Sequence, residues 1–481
     1  MILVRTLGVA ALLTAALGTT GCVGDASTST SVQASSPPLP TPTPAARDNS
    51  AFVAAVDALA ADALQHGPIA GLSIAVSQAD TTILAKGYGF ADLEAVVPAT
   101  ADTSYPIASV SKNFTAALIL RLADRGRLTL DDPLSRFFPD ARPKIGALTL
   151  RHLLDHTSGL TRGGPAPRTA AQSVLRRGGT AHDQGATWDY SNYNYSLLGL
   201  AIEQVTGREY ASYVHEELAA PLGLAGTGYC EDGSPVPGRA RDYLSNRKRV
   251  SPTPYWTKAH FFAGGGLCST VLDLVRWTRA LEDGRVISTA MLQTMRTPAR
   301  LPGALDADYG LGTRMGSTAG HRKVGHTGGG QGNRAVLARY PDADLTVVVL
   351  LNTERANAII TATGIEERIA RLFFAPEAFS EDVSPEPDSR RYAGDYRSGS
   401  QLVRLAEDAG VLTVLGGARR IPGARYIGRG AGLFVAADDP SVELRFQVRD
   451  AQVDGYRRYR NGWFAGVAVR STDLRPTKTA P

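Results

Sequence analysis

Apolar residues recur at helical spacing from residue 50 to 65, where Phe52, Val53, Val56, Leu59 and Leu64 share a face until His66-Gly67-Pro68 ends the run. The period then shortens. Residues 71–77 and 82–90 are β-rich and flank the turn former Gln78-Ala79-Asp80, which predicts an antiparallel hairpin. A largely helical, loop-rich middle reaches to about residue 281. Strand signals return at 333–340 and 345–351 around Pro341-Asp342-Ala343-Asp344, and 354–373 predicts a closing helix. Strands at both ends of a long helical insertion predict an α+β plan, a sheet assembled from distant segments with helices on both faces. After Pro376 the texture changes. Residues 380–389 are polar with two prolines, and 391–469 holds short strands broken by Gly, Asp and Pro, which predicts a small all-β domain.

With 481 residues the chain is too long for one ordinary core, and its 43% apolar and 20% charged residues suit a globular protein. A net charge of +5, from 51 basic and 46 acidic residues, has no basic run longer than Arg247-Lys248-Arg249, which argues against a nucleic-acid partner. Arg5 precedes an apolar stretch from residue 6 to 18, long enough for a signal-peptide core and too short to span a bilayer. Export to the periplasm or cell envelope is therefore expected. Cys22, after Leu17-Gly18-Thr19-Thr20-Gly21, resembles a bacterial lipoprotein cleavage site, although Thr19 stands where the pattern prefers Leu. Lipid attachment at Cys22 and ordinary cleavage near Gly21 both stay open. Residues 27–46 are nearly all Ser, Thr, Pro, Ala, Val and Gln, a composition that tethers rather than folds. The expected organisation is a signal peptide at 1–21, a flexible linker at 22–49, a catalytic domain at 50–376, a linker at 377–390 and a β domain at 391–481. In an oxidising compartment Cys230 and Cys268 could pair.

The chemistry gathers at Ser109-Val110-Ser111-Lys112, ahead of an apolar-periodic helix carrying Phe114, Ala117, Leu118 and Leu120. Residues i and i+3 share a helical face, so the Ser109 hydroxyl and the Lys112 amine can meet, and a helix N-terminus favours an oxyanion there. Serine needs a base that is unprotonated near neutral pH, and lysine becomes one when desolvated. The pattern alone is weak: Ser245-Asn246-Arg247-Lys248 repeats it in a charged, helix-poor stretch. Two further elements single out the first copy. Trp188-Asp189-Tyr190-Ser191-Asn192 precedes a helix through Leu197, Leu198 and Ile202, where a phenol can relay a proton and an amide can hold a substrate carbonyl. Gly325-His326-Thr327-Gly328-Gly329-Gly330 runs towards the strand after Asn333, where glycines let a substrate backbone come close.

With Ser109-x-x-Lys112, Tyr190-x-Asn192 and His326-x-Gly328 in order, and with Arg151-His152-Leu153-Leu154-Asp155-His156-Thr157-Ser158-Gly159-Leu160 between them, the chain resembles the serine β-lactamase-related family. That family includes class C β-lactamases, penicillin-binding proteins, DD-peptidases, esterases and D-amino-acid-directed peptidases. The likeness covers residues 50 to 375. It implies a β-lactamase/transpeptidase-like fold with a helical subdomain, and the C-terminal unit resembles an appended lipocalin-like domain. It further implies that Ser109 forms an acyl-enzyme, Lys112 activates it and Tyr190 shuttles the proton. Asn192, His326 and Gly328 would bind substrate, and the Ser109 and Gly329 N–H groups would form the oxyanion hole. His326 stands where many relatives have Lys; a mostly neutral imidazole in place of a permanent cation ranks β-lactamase proper below a peptidase or esterase. The rival of another class is a non-catalytic penicillin- or peptidoglycan-binding module. No cofactor is expected, since there is no Gly-Lys-Ser or Gly-Lys-Thr. No metal is expected either: His152 and His156 have zinc-ligand spacing but lack the Glu after His152 and a third ligand. The partners expected are a small-molecule or peptide substrate, with membrane attachment only through Cys22.

Overall fold

The computed structural model describes residues 49–160, 166–230, 238–246, 249–253, 261–302, 305–354, 361–374, 386–398, 401–416 and 423–471. The expected signal peptide, Cys22, Lys248 and most of the expected 377–390 linker lie outside the described residues. Among the described residues no helix is long and apolar enough to cross a membrane.

Helix α1 (Ser50–His66) leads into β1 (Gly71–Gln78) and β2 (Thr81–Asp92), the expected hairpin. Beyond the helical middle, the chain returns as β3 (Arg314–Thr318), β4 (His321–Gly330), β5 (Asn333–Tyr340) and β6 (Leu345–Leu351). β6 pairs with β1 across the whole length of sequence between them, giving the antiparallel order β3-β4-β5-β6-β1-β2. The strand alternation of β6 decides the layers. Val347, Val349 and Leu351 pack with α1 and a closing helix, while Val348 and Leu350 join the core around the helical subdomain. That closing helix starts at Ala362, not at 354. Thr353–Glu354 is instead a short strand that pairs in parallel with Tyr243–Asn246, the strand bearing Ser245.

The helical subdomain surrounds α2 (Ser111–Asp124), which is buried along almost its whole length. α3 (Asn192–Thr206) packs beside it, and on α4 (Val271–Glu282) Trp277 stacks on Phe114 at 4.0 Å and donates its indole N–H to Asn113 Oδ1 at 2.9 Å. The closing helix is α5 (Ala362–Phe374). Cys230 and Cys268 form a disulfide, and Cys268 pairs with Pro106, which lies three residues before Ser109.

The C-terminal strands are β7 (Gly394–Ser398), β8 (Gln401–Asp408), β9 (Val411–Gly416), β10 (Arg425–Gly428), β11 (Leu433–Ala436), β12 (Val442–Arg449), β13 (Gln452–Arg460) and β14 (Trp463–Arg470). Each pairs antiparallel with the next. β7 also pairs with β14, so these eight strands of the described residues close into a barrel. Its interior is filled by Tyr392, Tyr396, Phe434, Phe446, Tyr456 and aliphatic neighbours. The barrel meets the sheet of β1 to β6 where Trp463 of β14 pairs with Gly316 of β3.

Candidate active site

Ser109 stands in a 3₁₀ turn, Ala108–Val110, that runs directly into α2. The preceding residue, Ala108, has φ of +45°, a left-handed conformation that costs a non-glycine residue about 1–2 kcal/mol. The strain holds Ser109 at the helix entrance, where the dipole favours negative charge. One turn on, Lys112 is wholly buried. Its Nζ lies 3.1 Å from Ser109 Oγ, 2.9 Å from Asn192 Oδ1 and 2.6 Å from the Gly264 carbonyl.

Tyr190 reaches this amine from the loop before α3. His156, itself at φ +64°, positions that loop: its carbonyl accepts from Asp189 N–H at 2.9 Å and its Nδ1 accepts from Ser191 N–H at 3.2 Å. The His156 ring lies 4.3 Å from the Tyr190 ring, and Lys112 Nζ lies 4.9 Å from the same ring. His152 turns elsewhere and bonds Thr149 Oγ1 at 2.6 Å, so the two histidines serve different local structures.

Burial drives the Lys112 amine below the ordinary lysine range; the negative form of Tyr190 opposes this and the Arg314 cation reinforces it. Burial pushes the Tyr190 phenol up, but the charges of Lys112 and Arg314 and hydrogen bonds to Lys112 and Ser109 outweigh it and hold the phenol below its usual range. Both groups are thus held below their ordinary proton affinities beside the Ser109 hydroxyl.

The opposite side of the site is β4. Strand β3 pairs only with residues 321–325 of β4, leaving 326–330 with an open edge. Alternation assigns the faces: His326 and Gly328 point inward, Thr327 is half-buried and Gly329 is exposed. Gly328 is required because a Cβ there would sit 2.2 Å from the Ile107 carbonyl, so only glycine lets the strand close on the nucleophile turn. Ser109, Tyr190, Thr327, Gly328 and Gly329 line one cavity of about 580 Å³.

His326, expected to face substrate, does not line that cavity. It is fully buried on the inward face, donating from Nδ1 to the Thr327 carbonyl at 2.7 Å and accepting at Nε2 from the Tyr309 hydroxyl at 3.0 Å. Burial, then the Arg314 and Lys112 cations, holds the imidazole well below its ordinary range, so it is neutral. Asn192 likewise lies outside the cavity lining, with its carbonyl on Lys112. Arg314, Arg334 and Arg460 put permanent cations on the cavity wall, and Arg314, beside Tyr190, is a site residue that the sequence reading missed. Its guanidinium carbon lies 5.2 Å from the Tyr190 ring, it donates to the Phe464 carbonyl, and its buried Nε has no hydrogen-bond partner among the described residues. No local motif marks Arg314; only the pairing of β3 with β4 carries it here.

The barrel completes the cavity with Arg460, Asn461 and Trp463 to Ala465, contributed by the β13–β14 hairpin. A larger hollow, of about 750 Å³, lies between Phe137, Arg168 and Arg208 and contains none of these groups.

A model of the beta-lactamase family matches residues 56–368. A D-aminopeptidase of Brucella anthropi is 28% identical over 353 residues, which cover 70% of this chain and 65% of the relative, so the chain spans just under two thirds of that relative's length. Among solved structures, a D-amino acid amidase from Ochrobactrum anthropi SV3, in complex with D-phenylalanine, superposes with a TM-score of 0.60 at 25% identity, covering 68% of this chain and all of that one. An octameric penicillin-binding protein homologue from Pyrococcus abyssi reaches 0.62 at 23% identity, covering 87% of this chain and all of that one, a likeness of fold that extends into the barrel. The match over more than half its length, on a fold that brings serine, lysine and tyrosine together, shows that the chain belongs to the beta-lactamase family.

Proposed function

We propose that this chain is an exported hydrolase that cleaves amide bonds of D-amino-acid-containing peptides through an acyl-Ser109 intermediate. The observation that carries the reading is the surroundings of Lys112. An unprotonated amine has two N–H groups and one lone pair. With Asn192 Oδ1 and the Gly264 carbonyl taking the hydrogens, the lone pair is left for the Ser109 hydroxyl. Ser109 Oγ then gives its proton to Lys112 as it attacks the scissile carbonyl. The oxyanion is received by the N–H groups of Ser109 and Gly329. Gly329 is one residue from Gly330–Asn333, the pair closing a two-residue hairpin, so ladder alternation turns its N–H to the open edge. Tyr190, linked to Lys112 and Ser109, passes the proton to the leaving amine, and as phenolate it takes one from the water that releases the acyl group.

Arg314 supports an anionic substrate, since its guanidinium is a permanent cation on the cavity wall beside Tyr190, where it can give a carboxylate a charge-assisted hydrogen bond. The names of the relatives support D-amino-acid chemistry, and the apolar N-terminal stretch with the Cys230–Cys268 disulfide supports export. Intact-mass spectrometry with nitrocefin, p-nitrophenyl acetate and D-alanyl-D-alanine peptides tests the reading. An acyl adduct is expected on the parent and absent from Ser109→Ala; an unchanged adduct in Ser109→Ala refutes the nucleophile. Hydrolysis of nitrocefin in preference to every D-peptide would make the chain a β-lactamase instead.

A further inference from the structure

The barrel is fastened to the catalytic domain by an unusual device. Lys323 of β4 and Glu366 of α5 form an ion pair of 3.0 Å, both with no solvent exposure. Two charges removed from water demand every available partner, and here the β13–β14 hairpin supplies a partner to each of them. Lys323 Nζ donates to the Asn461 carbonyl at 2.9 Å and lies 4.6 Å from the Trp463 ring, while Trp463 Nε1 donates to Glu366 Oε2 at 2.9 Å. Tyr340 bonds the other oxygen of Glu366. Around this centre, Asn461 Nδ2 bonds Thr363 Oγ1 at 2.8 Å and Ser317 N–H bonds the Gly462 carbonyl at 3.0 Å. Gly462, at φ +66°, lies so close that a Cβ would meet the Ser317 carbonyl at 2.1 Å. Two residues along, Phe464 offers the carbonyl that holds Arg314 across Tyr190.

We propose that Lys323 and Glu366 are positioning residues: they seat the barrel hairpin as a wall of the cavity and, through the Phe464 carbonyl, aim Arg314 at the substrate carboxylate. The barrel is then part of the specificity machinery rather than a spacer. The carboxylate role of Arg314 rests on the function proposed above; the seating of the hairpin does not.

Removing one member strands a buried charge, so the variant to test is the double Lys323→Met/Glu366→Gln, which keeps volume and leaves an amide oxygen to accept from Trp463 and an amide N–H to donate to the Tyr340 hydroxyl. Trp463→Phe is the milder companion that loses only the indole bond. The first readout is the ratio of kcat/KM for N-acetyl-D-alanyl-D-alanine to that for its C-terminal amide. Misplacing a positioning group by about 1 Å costs on the order of 100-fold, so the ratio is expected to fall at least about tenfold in the double variant, mainly through KM, and less in Trp463→Phe. An unchanged ratio in a folded double variant overturns the proposal. The second readout is amide hydrogen exchange over residues 452–470, expected to quicken at least about tenfold while α2 is unaffected. Unchanged exchange there refutes the seating even if no peptide is hydrolysed. A parent protein that forms no Ser109 adduct would instead refute the proposed function.

Discussion

Lys112→Met removes the amine, keeps the unbranched stem and leaves two carbonyl acceptors and the Ser109 hydroxyl facing a thioether. The parent Nζ lies within 3.1 Å of Ser109 Oγ, Asn192 Oδ1 and the Gly264 carbonyl. General-base catalysis is worth about 10²- to 10⁴-fold, and a loss of 10³ corresponds to about 4 kcal/mol of barrier. Acylation of Ser109 by p-nitrophenyl acetate, followed by stopped-flow release of nitrophenol, should therefore slow by about 10³-fold. Stability, too, depends on pH through Lys112. Burial holds Lys112 below its unfolded value in the folded protein, so between the two values the unfolded chain binds more protons and parent stability rises with pH. Methionine removes that dependence, and the variant's stability relative to the parent, from urea midpoints, should improve as pH falls. The parent acylation rate should rise with pH as Lys112 deprotonates, below the ordinary lysine range. Acylation within tenfold of the parent in Lys112→Met, with an unchanged pH profile, would refute the base assignment.

Burial raises the Asp155 carboxyl to about 6 against hydrogen bonds from Thr157, so ionising it in the folded state costs about 3 kcal/mol. The folded state holds its proton longer, so parent stability falls as pH rises from about 4 to 6; Asp155→Asn should gain up to about 3 kcal/mol in urea titrations at pH 8 and nothing below about pH 4. Reducing Cys230–Cys268, 38 residues apart, should cost about 4 kcal/mol by the chain-entropy estimate, read as a lower urea midpoint in dithiothreitol that the double serine variant reproduces. Gly328→Ala should slow acylation at least about 100-fold, because its Cβ meets the Ile107 carbonyl and forces β4 off the nucleophile turn; a rate near the parent's would refute that close approach.

Much of the layout was legible in sequence because it rests on local periodicity. The first hairpin and strands β5 and β6 follow apolar runs broken by turn formers, and the helix after Ser109 follows its own apolar face. Where a signal was ambiguous the reading slipped. The apolar spacing around residue 354 extends a helix into what is a strand, because Tyr243–Asn246 offers it a partner about 110 residues away in the chain, which no local pattern reports.

The sequence by itself determined the chemical types at the site. Ser109 and Lys112 are one helical turn apart, and that spacing makes their contact a local property. Tertiary structure decided everything that depends on which face of a strand a residue occupies and on what packs against it. Alternation along β4 buries His326 and leaves it neutral, although its position in the motif pointed towards substrate. The pairing of β3 with β4, and the seating of the barrel hairpin on Lys323 and Glu366, bring Arg314 over Tyr190. Burial is itself a tertiary property: it is what converts Lys112 from an ordinary surface-type cation into a candidate base.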